Sequence, residues 1–196
     1  MTNLVRKESI KIDKNIRILA VDDSPRINSS SFLIGIVYRN GIVEGAVSTN
    51  ITYDGDDSTE QIIKMVKRSR FSNQIKLILL NSITMGGLNI IDISELSNSL
   101  SIPVIAITRH LPRVSELEKA VDRLEISKEE KERKLNAIKN AGEPFKIKTK
   151  PILYAQVAGI DRFKAMEAIK DIGIEPLRLS HIIASALVLG ESKGRF

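Results

Sequence analysis

Apolar residues along the chain occur in two patterns, short runs of branched side chains and positions at helical spacing. The runs, rich in Ile, Leu and Val and bounded by polar residues, are typical of strands. They predict strands over residues 16–21, 32–39, 42–49, 75–80, 103–108 and 152–157. Helical spacing and capping residues predict helices over 58–69, 91–100, 113–124, 127–140, 161–172 and 176–189.

The order of these elements predicts the fold class. Asn40-Gly41 joins the second and third predicted strands as a hairpin, because both residues tolerate positive φ. The chain therefore begins with three antiparallel strands, which are followed by a helix, a strand, a helix and a strand. In a Rossmann fold, by contrast, strands and helices alternate from the first strand. This order matches the α/β ribonuclease H-like arrangement, a mixed sheet flanked by helices. We expect residues 1–15 to form an N-terminal arm and residues 16–196 a single domain.

Composition restricts the partners and the chemistry. The chain has 196 residues, a net charge of +6 and no Cys, which excludes disulfides and thiolate metal sites. It starts without an apolar signal region, and its longest apolar stretch is too short to span a bilayer, so we expect a cytoplasmic protein with no membrane partner. An aromatic content of 4% argues against a stacking surface for single strands. Nucleic acid therefore remains a partner through phosphate contacts.

A carboxylate stands where the first apolar strand ends. Asp22 lies on the same side of this strand as Ile18 and Ala20, because side chains alternate with a period of two, and Asp23 points the other way. A buried acidic group is costly unless it is paired or bound to a cation. Asp22 is therefore the principal candidate for a metal ligand, although a turn aspartate before Pro25 is an equally ordinary interpretation.

Further carboxylates follow at other element ends. Asp54 and Asp56 precede the first helix, and Asp92 follows the fourth strand. Mg²⁺ and Mn²⁺ prefer oxygen ligands, and a few carboxylates from different elements suffice to hold them. The hypothesis is a divalent-metal site in which Asp54, Asp56 and Asp92 join Asp22. The structural alternative is that these residues cap helices, as Asp57 is expected to do.

Basic and flexible residues supply candidates for substrate contact. We expect Arg109 to hold a phosphate and His181 to protonate a leaving group or to position water. Arg178 shares a helix face with His181, and Gly86-Gly87 form a turn that lets the backbone approach a phosphate. Arg39, at the end of the second strand, is a further candidate substrate contact. The charged helix over 127–140 is expected to be a solvated surface.

Five stretches of the chain resemble one protein family. They are 18–25 (ILAVDDSP), 53–59 (YDGDDST), 83–93 (ITMGGLNIIDI), 103–109 (PVIAITR) and 175–185 (EPLRLSHIIAS). The family is the archaeal domain-of-unknown-function 99 family, also called endonuclease dU, which is distantly similar to endonuclease V. The resemblance implies a Mg²⁺-dependent enzyme that cuts near deaminated bases such as inosine, on a ribonuclease H-like fold.

The resemblance to endonuclease V also implies roles for individual residues. Asp22 takes the place of the first-strand aspartate, the 54–57 stretch that of a helix-start glutamate, Arg109 that of a lysine, and His181 lies near the C-terminal histidine. Two departures are visible. Asn81 ends the fourth strand, where a second metal-binding aspartate is expected, and the Pro-Tyr-Ile-Pro wedge that opens the duplex is absent.

Two functions remain open at this point. The first is a Mg²⁺- or Mn²⁺-dependent endonuclease for damaged or deaminated nucleic acid, in which Asp92 reaches back to replace the missing ligand. The second is a non-catalytic nucleic-acid-binding module that has kept the fold and lost a ligand. Convergence of Asp22 and Asp92 favours the enzyme, and Asp92 as a helix cap favours the binding module. A small-molecule phosphate hydrolase, with a closed pocket, is a third possibility.

Overall fold

The computed structural model describes residues 12–192, which form nine strands and six helices. The strands are β1 (Arg17–Asp23), β2 (Ser30–Arg39), β3 (Ile42–Thr52), β4 (Ile75–Leu80), β5 (Thr84–Met85), β6 (Asn89–Ile90), β7 (Val104–Thr108), β8 (Phe145–Ile147) and β9 (Leu153–Ala158). The helices are α1 (Ser58–Arg68), α2 (Ile93–Leu100), α3 (Val114–Asp122), α4 (Lys128–Ala141), α5 (Arg162–Ile172) and α6 (Glu175–Leu189).

Seven strands form one mixed sheet in the order β3-β2-β1-β4-β7-β9-β8. The β1–β2 and β2–β3 pairs are antiparallel, β1–β4 and β4–β7 are parallel, and β9 pairs antiparallel with both β7 and β8. β5 and β6 form a separate two-stranded hairpin. Because β1, β4 and β7 are parallel, their carboxyl ends meet at one edge of the sheet, which we call the site edge.

Helices cover both faces of the sheet. The alternation of side chains along β1 shows which helices lie on each face. Leu19 and Val21 belong to the core shared with α1, α2, α3 and α4. Ile18 and Ala20 belong to the core shared with α5 and the start of α6. Since the strands are buried on both faces, they read as continuous apolar runs. The same alternation continues to the end of β1, so Asp22 faces α6 and Asp23 faces the α1 side.

The predicted elements agree closely with the structure, and the mixed α/β sheet is confirmed. β3 runs three residues further than expected, and β5, β6 and β8 were not predicted. Of the predicted N-terminal arm, residues 1–11 lie outside the described residues, and the Lys14 amide donates to Asp171 of α5 at 2.7 Å. Among residues 12–192 no single helix is long and apolar enough to cross a membrane. The α5–α6 pair, bent by 71°, meets that test only together.

Candidate active site

Asp22 is a buried carboxylate at the site edge, with 1% of its surface exposed. Its Oδ1 accepts hydrogen bonds from the Asp23 amide at 2.9 Å and from Asn81 Nδ2 at 3.0 Å. Its Oδ2 lies 2.8 Å from His181 Nδ1 of α6. A carboxylate has about four acceptor positions, so one remains for a further ligand. The ends of β1 and β4 and one turn of α6 therefore converge on this side chain.

Asp23 lies beside Asp22 and carries an unfavourable charge. Its Oδ2 accepts from the Gly86 amide at 2.8 Å. Burial, followed by the neighbouring Asp22 charge, raises the pKa of Asp23 from 3.8 to about 6, although the Gly86 hydrogen bond opposes the rise. Two adjacent carboxylates in a half-buried site repel each other, and a cation bound between them relieves that repulsion.

His181 is the cationic partner that the described residues provide for Asp22. The hydrogen bond to Asp22 raises the pKa of His181, burial opposes this rise, and the Asp22 and Asp23 charges add to it. With Nδ1 directed at a carboxylate, the tautomer with hydrogen on Nδ1 is favoured, and Nε2 lies on the side of the ring away from Asp22. The geometry suits both proton transfer and orientation of Asp22.

The Asp22–Asp23 pair fits a hard divalent cation through its chemistry. Within residues 12–192 no group of three or more His, Cys, Asp or Glu residues is arranged to hold a metal ion. Mg²⁺, however, is usually bound by one or two carboxylates, with water and substrate phosphates completing its octahedron. Asp22 and Asp23 provide two carboxylates in which the Gly86 amide and Asn81 fix the orientation.

A cavity of about 550 Å³ adjoins this site and shares Asn81 with it. It is formed by the residues after β4 and by the loop from β7 to α3. Its lining includes Asn81, Ser82, Thr108, Arg109, His110 and Gln156. This volume is in the range of ligand-binding cavities. A second cavity of about 580 Å³ lies at the opposite edge of the sheet, against Asp161 and Lys164, away from the carboxylates.

Arg109 lies after the last residue of β7, at the strand end where the sequence predicts it, and it also lines the first cavity. It directly follows Thr108, the last residue of β7, whose hydroxyl donates to the His110 carbonyl at 2.7 Å and shapes the loop. An exposed guanidinium at this position is suited to bind a phosphate.

The carboxylates of the β3–α1 loop do not join Asp22, which corrects the predicted metal set. Asp54 Oδ1 accepts from the Leu88 amide at 2.7 Å. Asp56 forms an ion pair with Arg133 of α4. Asp57 accepts from the Thr52 amide and hydroxyl and from Asn89. These bonds fix the loop, and the structure does not bring Asp54 or Asp56 into a metal-binding group with Asp22.

Asp92 is likewise not part of the carboxylate pair. Its Oδ1 accepts from the Ser94 and Glu95 amides, both at 2.9 Å, which caps α2. Its Oδ2 accepts from Asn140 of α4 at 2.9 Å. The prediction that Asp92 replaces a missing metal ligand is therefore corrected, because both oxygens are used by helix termini.

The predicted substrate contacts separate into two groups. Gly86 reaches the site, but its amide donates to Asp23 and its carbonyl accepts from the Asp54 amide at 2.7 Å, whereas Gly87 lies against Asp54 and Tyr53. Arg39 pairs with Glu44 at the β2–β3 hairpin, beside the start of β1 and so at the opposite edge. Arg178 forms two hydrogen bonds with Glu175 within α6, at 2.8 and 2.6 Å. The structure does not bring Arg39 or Arg178 to the carboxylates.

Sequence reasoning missed the contribution of Asp23 and Asn81. Along the strand Asp23 points away from Asp22, yet the two carboxylates lie close enough for the Asp22 charge to raise the pKa of Asp23. Asn81 was treated as the loss of a ligand, whereas its amide holds Asp22. The signal for both was their position at the ends of neighbouring parallel strands.

Comparison with known proteins adds the family. The model of the family described as endonuclease dU matches residues 14–188. A UPF0215 protein of Methanothermobacter thermautotrophicus is 38% identical over 193 residues, covering 94% of this chain and 93% of the relative. Another, from Archaeoglobus fulgidus, is 38% identical over 187 residues, covering 93% of this chain and 99% of the relative.

Solved structures support the fold. A protein of unknown function from Archaeoglobus fulgidus superposes with a TM-score of 0.81 at 36% identity, covering 89% of this chain and 99% of the other. Human endonuclease V gives a TM-score of 0.54 at 14% identity, covering 90% and 85%. The endonuclease V of Bacillus subtilis gives 0.52 at 12% identity, covering 90% and 81%. The likeness to endonuclease V places the sheet and helices in the ribonuclease H-like fold.

Proposed function

This chain belongs to the endonuclease dU family, and we propose that it is a Mg²⁺- or Mn²⁺-dependent endonuclease acting on damaged or deaminated nucleic acid. One observation carries the proposal. Asp22 and Asp23, adjacent at the end of β1, form no ion pair with Lys or Arg among residues 12–192, and the single cationic partner there is His181. Carboxylates with a raised pKa cluster at functional sites, which supports a role for this pair in binding or catalysis.

The residues around the pair have distinct expected roles. Asp22 and Asp23 would hold the cation, which when bound supplies an activated water and neutralises charge on the scissile phosphate. Asn81 keeps Asp22 oriented through its 3.0 Å hydrogen bond. His181 exchanges a proton at Nε2, and Arg109 binds phosphate at the cavity wall. The net charge of +6 favours a polyanionic substrate.

The second candidate, a non-catalytic nucleic-acid-binding module, is favoured by a different observation. Asp92 caps α2, and Asn81 stands where a second metal-binding carboxylate is expected. With one aspartate fewer, the site retains groups that bind phosphate and lacks a full two-metal ligand set. The two candidates share the partner and differ in whether a bond is cut.

A cleavage assay separates the candidates. Single- and double-stranded DNA and RNA oligonucleotides containing uracil, inosine or a mismatch are incubated with the protein and Mn²⁺, Mg²⁺ or EDTA. We expect metal-dependent cutting that Asp22→Asn reduces by about 10³-fold, with binding by fluorescence anisotropy retained.

The matched control is Asp161→Asn, since Asp161 caps α5 at the opposite edge of the sheet and Asn caps helices equally well. It should cut like the unaltered protein. Binding without cutting of any substrate by the unaltered protein would support the binding module. Cutting that survives in Asp22→Asn would show that the site is wrongly assigned.

A further inference from the structure

Lys134 of α4 is the most unusual charged residue in the described part of the chain. It is 1% exposed, although α4 was expected to be a solvated helix. Its Nζ donates to three backbone carbonyls: Asp54 at 3.0 Å, Leu88 at 2.9 Å, and Gly55. An ammonium group has three hydrogens, so these bonds use its full donor capacity. Lys134 therefore joins α4 to the β3–α1 loop and to the β5–β6 turn.

Burying this ammonium group is costly, which makes its position informative. Burial lowers the pKa of Lys134, and the Glu130 carboxylate, 3.6 Å away, opposes that shift. A Leu or Met at this position would avoid the desolvation cost but would leave the Asp54, Gly55 and Leu88 carbonyls without their donor. The buried ammonium group therefore constrains the segments that it binds.

The segments held by Lys134 lead directly to the carboxylate site. The Leu88 amide donates to Asp54 Oδ1 at 2.7 Å, and the Asp54 amide donates to the Gly86 carbonyl at 2.7 Å. The Gly86 amide then donates to Asp23 Oδ2 at 2.8 Å. Gly86 has φ of 56°, and a Cβ there would lie 2.8 Å from Ile51 Cδ1. The hydrogen bonds to Asp23 and Asp54 and the close approach of Ile51 therefore fix the position of the β5–β6 turn.

We infer that Lys134 is a positioning residue: by binding the Asp54, Gly55 and Leu88 carbonyls, it sets the β5–β6 turn so that the Gly86 amide holds Asp23 beside Asp22. The inference deepens the proposed function, on which its cation-binding consequence rests. Through this series of hydrogen bonds α4, which among the described residues has no hydrogen bond to Asp22 or Asp23, controls the geometry of the site. No bond is made or broken by Lys134 itself.

The test compares two neighbouring cations of α4. Lys134→Met preserves side-chain length and removes the three donors. Arg133→Gln is the matched control, because Arg133 binds Asp56 of the same loop but its side chain is 62% exposed. Amide hydrogen exchange of Gly86 is followed by NMR, and Mn²⁺ affinity is measured by titration of the folded proteins.

We expect Lys134→Met to accelerate Gly86 exchange by about tenfold or more and to weaken Mn²⁺ binding several-fold, with both values unchanged in Arg133→Gln. Glu130→Gln keeps the ammonium group and removes its counter-charge. Glu130→Gln should also accelerate Gly86 exchange and weaken Mn²⁺ binding, by smaller factors than Lys134→Met. If Lys134→Met does not fold, the result for Glu130→Gln tests the inference instead.

Unchanged Gly86 exchange in a folded Lys134→Met protein would overturn the inference, as would accelerated exchange with undiminished Mn²⁺ affinity. Failure of the unaltered protein to bind Mn²⁺ would instead count against the proposed function. In that case Gly86 exchange still decides whether Lys134 positions the turn.

Discussion

The carboxylates at the end of β1 and those of the β3–α1 loop lie at the same edge of the sheet but in different surroundings. Asp22 and Asp23 adjoin each other, and His181 is the cation paired with them among residues 12–192. Asp56 is paired with Arg133, and Asp57 accepts hydrogen bonds from Thr52 and Asn89. Asp23 is left with an unfavourable charge, whereas Asp56 and Asp57 are paired within the fold.

This difference separates acids that stabilise the protein from acids that are available for chemistry. Sequence position alone does not separate them, because both groups stand at element ends. What distinguishes them is the neighbouring charge: Asp23 lies beside the Asp22 carboxylate, whereas Asp56 is paired with Arg133. Partners such as Arg133 and Asn89 are distant in sequence. Changing individual residues therefore tests the comparison directly, since the two groups should respond in opposite directions.

The largest expected effect is loss of stability on replacing an acid of the loop. In Asp57→Ala the Thr52 amide loses its acceptor, and Asn89, which is fully buried, loses a charged partner. We expect the free energy of unfolding to fall by about 3 kcal/mol, measured by urea denaturation. Glu60→Ala, which removes an exposed ion pair with Lys64 in the same helix, should cost less than about 0.5 kcal/mol. Equal losses in the two variants would contradict the structural role of Asp57.

The next effect has the opposite sign and depends on pH. Because the folded pKa of Asp23 is about 6 and its ordinary value is 3.8, the folded state binds this proton more tightly than the unfolded state. The contribution of Asp23 to stability therefore falls as the pH rises through this window, and it stays low above pH 6. Asp23→Asn cannot ionise and still accepts from Gly86. At pH 7 it should be more stable than the unaltered protein by about 2 kcal/mol, with the gap closing near pH 4.

Urea denaturation between pH 4 and pH 8 measures this gap, and Asp161→Asn is the control. The backbone hydrogen bond from Lys164 lowers the pKa of Asp161, so removing that charge cannot stabilise the protein at pH 7. Mn²⁺ should reduce the difference in the free energy of unfolding between Asp23→Asn and the unaltered protein, because a cation stabilises the ionised pair. A variant less stable than the unaltered protein at pH 7 would show that Asp23 belongs with the acids of the loop.

Much of the fold could be predicted from local pattern. The apolar runs of β1, β4 and β7 and the predicted cap at Asp161 gave these element boundaries within a few residues. β5, β6 and β8 have two or three residues each, too few to show a period. They form because tertiary contacts supply what the local sequence does not indicate.

The candidate site was predicted only in part. Asp22, His181 and Arg109 lie at this edge, as the sequence predicts. The carboxylates expected around Asp22 have other partners, which are the Leu88 amide for Asp54, α4 for Asp56, and α2 and α4 for Asp92. Lys134 was overlooked although a signal existed, since it shares the apolar stripe of Ala137, Ile138 and Ala141 at spacings of three, four and seven. A charged residue on an apolar stripe indicates a buried polar contact, and the carbonyls that satisfy it come from distant segments.

The smallest expected change in stability concerns Asp92. It tests whether Asp92 belongs with the acids that stabilise the fold or with the Asp22–Asp23 pair. As a cap, Asp92 satisfies two amides of α2, so Asp92→Ala should lower the free energy of unfolding by about 1 kcal/mol, whereas Asp92→Asn, which can also cap, should lose less. Neither variant should change the Mn²⁺ affinity, because both Asp92 oxygens are bound within the protein. If Asp92→Asn keeps its stability and binds Mn²⁺ tenfold more weakly, Asp92 acts as a ligand. The acids would then form one metal site, because Asp92 would have to leave its cap to reach Asp22.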